Sequence, residues 1–237
     1  MARTTAHIYD LIHDGAGKDY AAEATTLDQI IRQRNPSAAT LLDVACGTGR
    51  HLGHLRDHYD IVGLDVDPTM LEQARTRLPH IRLVEGDMRS FQLNRRFDAV
   101  TCLFSSIGYM SSTEDLRAAV SCMAGHLAVG GVLVVDGWIR PDAWIEPGTV
   151  HALSAKREGV AVARAVRSRR DGKRTYLELH YLVAAEDGIT HLTDHLELTL
   201  FTHEEYQDAF VGSGLRVEKV ESGMPGRDRY IGVAALT

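Results

Sequence analysis

Three aspartates and one small-residue loop are the groups in this 237-residue chain whose types and spacing point most directly to chemistry. Asp43 lies in the apolar run Leu41-Leu42-Asp43-Val44 and is followed by Ala45-Cys46-Gly47-Thr48-Gly49-Arg50. Glycine lets a backbone pass close to a ligand where a Cβ would clash, and open α/β sheets bind ligands over the carboxyl ends of their parallel strands. The loop lacks the third glycine of a pyrophosphate fingerprint, because Leu52 holds that position, and no Gly-Lys-Ser/Thr follows to make a P-loop. A carboxylate at Asp43 is poorly placed against a diphosphate and well placed to accept from an ammonium or sulfonium-side group. S-adenosylmethionine carries such groups and no phosphate. Asp65 ends the run Ile61-Val62-Gly63-Leu64, where it can accept both hydroxyls of a ribose. Asp87 follows Ile81-Arg82-Leu83-Val84-Glu85-Gly86, where it can accept from an adenine amino group while Met88 covers the ring. Any one of these aspartates alone reads equally well as ordinary turn chemistry; together, at β-α-β spacing, they describe a nucleoside site.

The elements that must hold these groups follow from hydrophobic periodicity. Two helices are predicted within 6–34, strands at 41–45, 61–65, 81–85, 97–104 and 132–136, and helices at 49–58, 68–78 and 114–127. Asp67-Pro68 reads as an N-cap with proline at the first helical position, and Ser111-Ser112-Thr113-Glu114 as a capping box. The rhythm changes after residue 137. Runs at 149–156, 160–168, 174–184 and 189–200 are separated by Glu158-Gly159, Asp171-Gly172 and Asp187-Gly188, which are hairpin signals. Helix 203–212 and strands 215–220 and 229–235 close the chain. The fold class is therefore α/β: a doubly wound, Rossmann-like sheet, mostly parallel with an antiparallel C-terminal strand, and an inserted antiparallel β layer. Three segments are expected: 1–137 as N-terminal helices and cofactor-binding core, 138–200 as the β layer (a substrate roof or dimer interface), and 201–237 completing the core.

A net charge of −6 and the lack of a basic run argue against nonspecific nucleic-acid binding. No apolar stretch is long enough for a membrane span, and Met1-Ala2-Arg3 leads into no leader-like core, so a cytoplasmic location is expected. Cys46, Cys102 and Cys122 read as small core hydrophobes of a reducing compartment.

In these motifs the chain resembles the class I S-adenosylmethionine-dependent methyltransferases. The resemblance narrows when Tyr9-Asp10-Leu11, Gly17-Lys18-Asp19-Tyr20, Gly86-Asp87-Met88-Arg89, Phe104-Ser105-Ser106-Ile107-Gly108, Glu178-Leu179-His180-Tyr181, Leu200-Phe201 and Gly226-Arg227 are included. Over nearly its whole length it is similar to the N,N-dimethyltransferases of nucleotide-linked amino-deoxysugars in antibiotic biosynthesis, which are homodimers with such a β insertion. The resemblance implies S-adenosylmethionine as cofactor and a TDP-linked amino-deoxysugar as substrate. It assigns Tyr9 and Tyr20 to the methionine carboxylate, Ala45 and Gly47 to the cofactor lining, Asp65 to the ribose, and Asp87 and Met88 to the adenine. Asp43, Gly49 and Leu103 complete the cofactor-binding candidates. Arg227 matches a position expected to meet the diphosphate, where a planar guanidinium suits phosphate oxygens.

Departures from the family fall at the expected sugar pocket. Asp136-Gly137-Trp138-Ile139-Arg140 stands where the family tends to Glu-Pro-Trp-Trp-Phe, Tyr109 ends a variable loop, and Gly226-Arg227-Asp228-Arg229-Tyr230 replaces a Gly-Arg-Gly-hydrophobic run. Candidate substrate contacts are Trp138, Arg140 and Arg227. Asp136 and Tyr109 are the candidate groups around the amine, with Ser106 as a positioning hydroxyl. The loop after the fourth strand lacks the Asn/Asp-Pro-Pro-Tyr/Phe motif of enzymes that methylate nucleic-acid bases, so a small molecule is the expected acceptor. A small-molecule O- or C-methyltransferase is the alternative. His51, His54 and His58 share one predicted helix face that could bind a metal, but a solvated face is expected and no metal is assigned.

Overall fold

Leu41, Leu42 and Val44 are all buried, as a strand covered on both faces requires. They belong to β1 (Thr40–Val44), near the middle of a seven-stranded sheet. The structure is a computed structural model that describes residues 6–222 and 226–235; Met1-Ala2-Arg3, where a leader was sought, lies outside the described residues. The chain divides into two compact units.

The larger unit runs from Tyr20 to Ala143 and resumes at Thr199. It holds α2 (Tyr20–Arg34), β1, α3 (Arg50–Leu55), β2 (Asp60–Asp65), α4 (Pro68–Arg77), β3 (Arg82–Glu85), β4 (Phe97–Cys102), α5 (Thr113–Gly125) and β5 (Leu127–Asp136). α6 (His203–Gly212) and two last strands, which follow the β layer and are therefore β10 (Leu215–Glu221) and β11 (Asp228–Ala234), complete it. The strand order is β10-β11-β5-β4-β1-β2-β3, parallel from β5 to β3, with β11 antiparallel to both β5 and β10. The direction of winding reverses between β1 and β4, the switch point where such sheets open a crevice for ligands. Alternate residues fill two cores. Leu42, Val44, Val100 and Val135 join α5 and α6 through Leu116, Val120 and Phe210, while Leu41, Ala99 and Val134 join α2, α3 and α4 through Ile31, Leu52 and Leu71.

Several predicted boundaries shift for physical reasons. β5 starts at Leu127, not 132, because Gly130 takes φ 69° and the ladder jumps from Phe97↔Leu127 to Ala99↔Val132. The glycine pair is thus a bulge inside the strand, a conformation glycine adopts at little steric cost. Asp67 caps α4 as expected, accepting from Thr69 N at 2.8 Å. α5 is capped by Ser112, whose Oγ accepts from Asp115 N at 3.1 Å; the Asp115 carboxylate turns back to Ser111 Oγ instead of completing a box. A full capping box occurs at Thr202 and Glu205.

The smaller unit holds α1 (Ala6–Gly15) and a four-stranded antiparallel sheet, β6 (Val150–Arg157), β7 (Val160–Asp171), β8 (Arg174–Ala185) and β9 (Gly188–Thr199), in sequential order. Ile8, Leu11 and Ile12 of α1 are buried in one cluster with Val162, Val166, Leu179 and Val183. The first helix thus goes with the β layer, whereas the sequence had grouped both N-terminal helices with the core.

Candidate active site

The loop after β1 turns through two glycines and one alanine in left-handed backbone: Ala45 at φ 60°, Gly47 at 55° and Gly49 at 75°. A Cβ at Gly47 would meet open space, and one at Gly49 would approach Leu78 and Ala74 of the α4 end at 3.0 and 3.3 Å. Gly49 is therefore the packing glycine and Gly47 the one whose backbone borders free volume. Asp65 anchors the turn: one carboxylate oxygen accepts Gly47 N at 2.7 Å and the other accepts Asp67 N at 2.9 Å.

Asp43 is 2% exposed, and its Oδ1 accepts the Thr101 hydroxyl at 2.7 Å. Burial is the main cause that pushes its carboxyl from 3.8 to about 6; nearby His51 and the Thr101 bond oppose the rise, and the charges of Asp65 and Asp136 add to it. Burial likewise raises Asp65, against the two backbone N–H groups it accepts. Burial raises the Cys46 and Cys102 thiols, with the neighbouring carboxylates adding to the rise. Two buried carboxylates, Asp43 and Asp65 at the ends of β1 and β2, thus create a region of negative potential that favours a cationic ligand, whereas the Asp136 charge at the end of β5 is met by Arg229.

Asp87, beyond the end of β3, is held below the usual carboxylate range chiefly by its hydrogen bonds to the Arg89 side chain, with Nη2 at 2.6 Å. Met88 is partly buried at the edge of the core. Leu103 is buried in the second core, directly after β4. Tyr20 is buried at the start of α2; the Arg50 guanidinium lies over its ring at 4.6 Å, and the His51 ring meets it edge-on at 5.0 Å. His51 is also bonded to Glu23 at 2.7 Å. This corrects the expected solvated histidine face. α3 ends at Leu55, so His58 is off the helix, and His51 turns inward to α2 while His54 and His58 are exposed. Among the described residues no group of three His, Cys, Asp or Glu side chains is arranged to hold a metal ion. Tyr9 lies on α1 in the other unit, its ring 4.3 Å from that of His13.

After β4 the chain makes a turn that the periodicity did not disclose. β4 ends at Cys102, and Phe104 and Ser105 are consecutive non-glycine residues at φ 55° and 61°, leading into a 3-10 turn at Ser106–Tyr109. Ser106 is half-buried and Tyr109 is 42% exposed. Two bonds tie this loop to the end of β5: Phe104 N donates to Asp136 Oδ2 at 3.1 Å, and Ser105 Oγ donates to Gly137 O at 2.7 Å. Asp136 Oδ1 accepts Arg229 Nε at 2.6 Å.

Trp138 is buried, and its backbone N–H donates to Tyr206 Oη at 3.3 Å. The Arg227 guanidinium sits 4.3 Å from the Trp138 ring centre, and burial lowers its pKa. Arg140 pairs with Asp228 at 2.6 Å and Asp142 at 3.1 Å. The larger unit therefore carries every predicted site residue except Tyr9. Arg229, Ser105 and Arg89 were not singled out from sequence as site residues. The first two act through partners more than 30 residues away, a separation no local pattern shows. Arg89 lies two residues from Asp87 and was within reach of a charge-pair reading.

Residues 41–131 match the model of a methyltransferase domain family. The chain is 47% identical, over 97% of its length and 98% of the relative's, to the dTDP-3-amino-3,4,6-trideoxy-alpha-D-glucopyranose N,N-dimethyltransferase of Streptomyces venezuelae. It is 39% identical, over 96% and 92%, to the dTDP-4-amino-2,3,4,6-tetradeoxy-D-glucose N,N-dimethyltransferase of Saccharopolyspora spinosa. The solved structure of S-adenosylmethionine-bound CalS10, an amino pentose methyltransferase from Micromonospora echinaspora, superposes with a TM-score of 0.88 at 41% identity, over 96% of this chain and 97% of that one.

Proposed function

The chain belongs to the S-adenosylmethionine-dependent N,N-dimethyltransferases of dTDP-linked amino-deoxysugars, and from that premise we propose how its residues share the work. The observation that carries the reading is 47% identity over 97% of the chain together with the two buried carboxylates Asp43 and Asp65 at the strand ends. Their mutual repulsion suits a ligand that brings positive charge, which is what this cofactor does. When bound, S-adenosylmethionine supplies a methyl already activated by its sulfonium.

Asp43 accepts from the cofactor ammonium, Asp65 from the ribose, and Asp87 from the adenine, which Met88 covers. Ala45, Gly47, Gly49 and Leu103 line the same pocket, and Tyr20 takes the methionine carboxylate. On the acceptor side, Trp138 forms a wall, Arg227 binds the diphosphate, and Ser106 and Tyr109 border the amine. The neutral amine would form its bond to the methyl carbon through its lone pair by direct displacement, as the C–S bond breaks and its electron pair leaves on a neutral thioether, and the resulting ammonium would lose a proton to water or a neighbouring group. The protein's part is alignment and exclusion of water, which in favourable intramolecular cases supply about 7–11 kcal/mol.

The net charge of −6 and the lack of a base-methylating motif in the sequence after β4 support a small acceptor over nucleic acid. Three free cysteines support the reducing cytoplasm. A homodimer is proposed through the outward face of β6–β9, which exposes Val150, Leu182 and Ile189 around a row of alanines, Ala161, Ala163 and Ala165 on β7.

Mass spectrometry of TDP-linked 3-amino and 4-amino deoxysugars, incubated with the protein and S-adenosylmethionine, tests the function. A gain of one or two methyls on one sugar is expected. Cofactor binding without methylation of any amino sugar would refute it and point to an oxygen or carbon acceptor.

A further inference from the structure

The Asp136 carboxylate lies at the end of β5, where a group beside the amine was expected, but both its oxygens are engaged. Oδ1 accepts the Arg229 Nε at 2.6 Å, and Oδ2 accepts the Phe104 backbone N–H at 3.1 Å. Asp136 and Arg229 are direct cross-strand partners on the β5–β11 ladder, and their side chains are only 11% and 13% exposed. The carboxylate is thus fixed from one side by a strand and used on the other side by a loop.

That loop needs holding. Phe104 and Ser105 both adopt left-handed backbone, which side chains with a Cβ disfavour and which persists only where surroundings over-determine it. Each is tied to a successive residue of the β5 end, Phe104 to Asp136 and Ser105 to Gly137, and Gly137 N donates in turn to Asp228 O at 2.8 Å. Ser106 and Tyr109 follow at once.

We infer that Asp136 and Arg229 form a positioning pair, in which Arg229 orients the Asp136 carboxylate so that it pins the backbone of the acceptor loop at Phe104 and fixes where Ser106 and Tyr109 stand. The effect on turnover rests on the amine-methylation reading above. The hold on the loop does not.

The test compares R229M, which leaves the carboxylate in place, R229K, which restores a cation, and D136A. Three quantities are read: hydrogen exchange of backbone amides over 103–109, kcat and KM with the amino sugar, and S-adenosylmethionine affinity. In R229M and D136A, exchange over 103–109 accelerates and kcat falls by roughly tenfold or more, as a loosened reactive geometry requires. Cofactor affinity stays within about twofold, and R229K recovers part of both effects. Wild-type kcat in R229M with loss in D136A alone would overturn the inference and make Asp136 a proton acceptor. A lowered melting temperature with unchanged exchange and kcat would overturn it in favour of a merely stabilising pair. If wild type methylates no amino sugar, the function reading fails, while the exchange data still decide whether the pair holds the loop.

Discussion

Replacing Asp43 with Asn should make the cofactor-free protein more stable and the cofactor weaker to bind. Asp43 is buried, and its carboxyl rises from 3.8 to about 6. Between those values the folded chain binds a proton that the unfolded chain has released, so stability falls as pH rises through that window and stays lowered above it. A rise of about two units at 1.36 kcal/mol each amounts to about 3 kcal/mol, an upper figure because local relaxation and water reduce it. Asn is nearly isosteric and can still accept the Thr101 hydroxyl, so D43N removes the buried charge without opening a cavity. For a chain of this size, about 1–3 kcal/mol corresponds to a melting-temperature gain of roughly 2–12 °C.

The assay is urea and thermal unfolding of both proteins at pH 8 and near pH 4, with calorimetric titration of S-adenosylmethionine at pH 8. The gain should be present at pH 8 and largely lost near pH 4, where the folded wild-type carboxyl is neutral and the unfolded one is only about half ionised. Affinity for the cofactor should fall about 10- to 100-fold, the loss expected when a charged hydrogen-bond partner is removed. Wild-type affinity should weaken as pH drops below about 6, because the proton and the cofactor ammonium compete for one carboxylate. A D43N protein no more stable than wild type at pH 8, or a difference independent of pH, would refute the reasoning.

R227A should raise the KM for the nucleotide sugar about 10-fold or more, with cofactor affinity unchanged; an unaltered KM would remove Arg227 from the diphosphate. G63A places a Cβ 2.7 Å from Leu52 and Leu83 and 2.9 Å from the Cys46 sulfur. Overpacking of that kind costs about 1–3 kcal/mol, and because Cys46 is in the cofactor loop, affinity should drop with melting temperature. L182D introduces a charge on the exposed face of β8 and should yield a monomer by analytical ultracentrifugation; a wild-type monomer would exclude the proposed homodimer.

What could be read from the sequence depended on how local the cause was. Gly47, Gly49 and Asp65 are tied to one another within a single β-α-β unit, and the Asp67 cap of α4 reaches only to Thr69. The hairpins of the β layer were legible because their glycines sit at fixed places in the turns, with Gly159, Gly172 and Gly188 all at positive φ. The capping box at Thr202 and Glu205 obeys the ordinary four-residue signature and was available but overlooked. Gly130 and Gly131 form a bulge inside β5, and because the end of an element and a bulge ask for the same residue, the start of the strand at Leu127 was not legible. The burial of His51 depended on Glu23 in another helix, and the placement of α1 depended on packing with strands more than 140 residues later. Helical spacing carries neither.

The acceptor side shows why its departures from the family were harder to interpret than the cofactor side. Two stretches that depart, one after β5 and one at the start of β11, lie about 90 residues apart in the chain, yet they pair with each other. Asp136 bonds Arg229, and Arg140 bonds Asp228, each at 2.6 Å. A guanidinium at position 229, only 13% exposed, needs a carboxylate, because an unpaired charge there would carry a desolvation cost of several kcal/mol. The two stretches are therefore one change in the physical sense: each supplies the counter-charge that makes the other tolerable. Its consequence falls on the loop that Asp136 also holds, so a remodelled pair can adjust the acceptor pocket while the cofactor loop, anchored separately by Asp65, keeps its geometry.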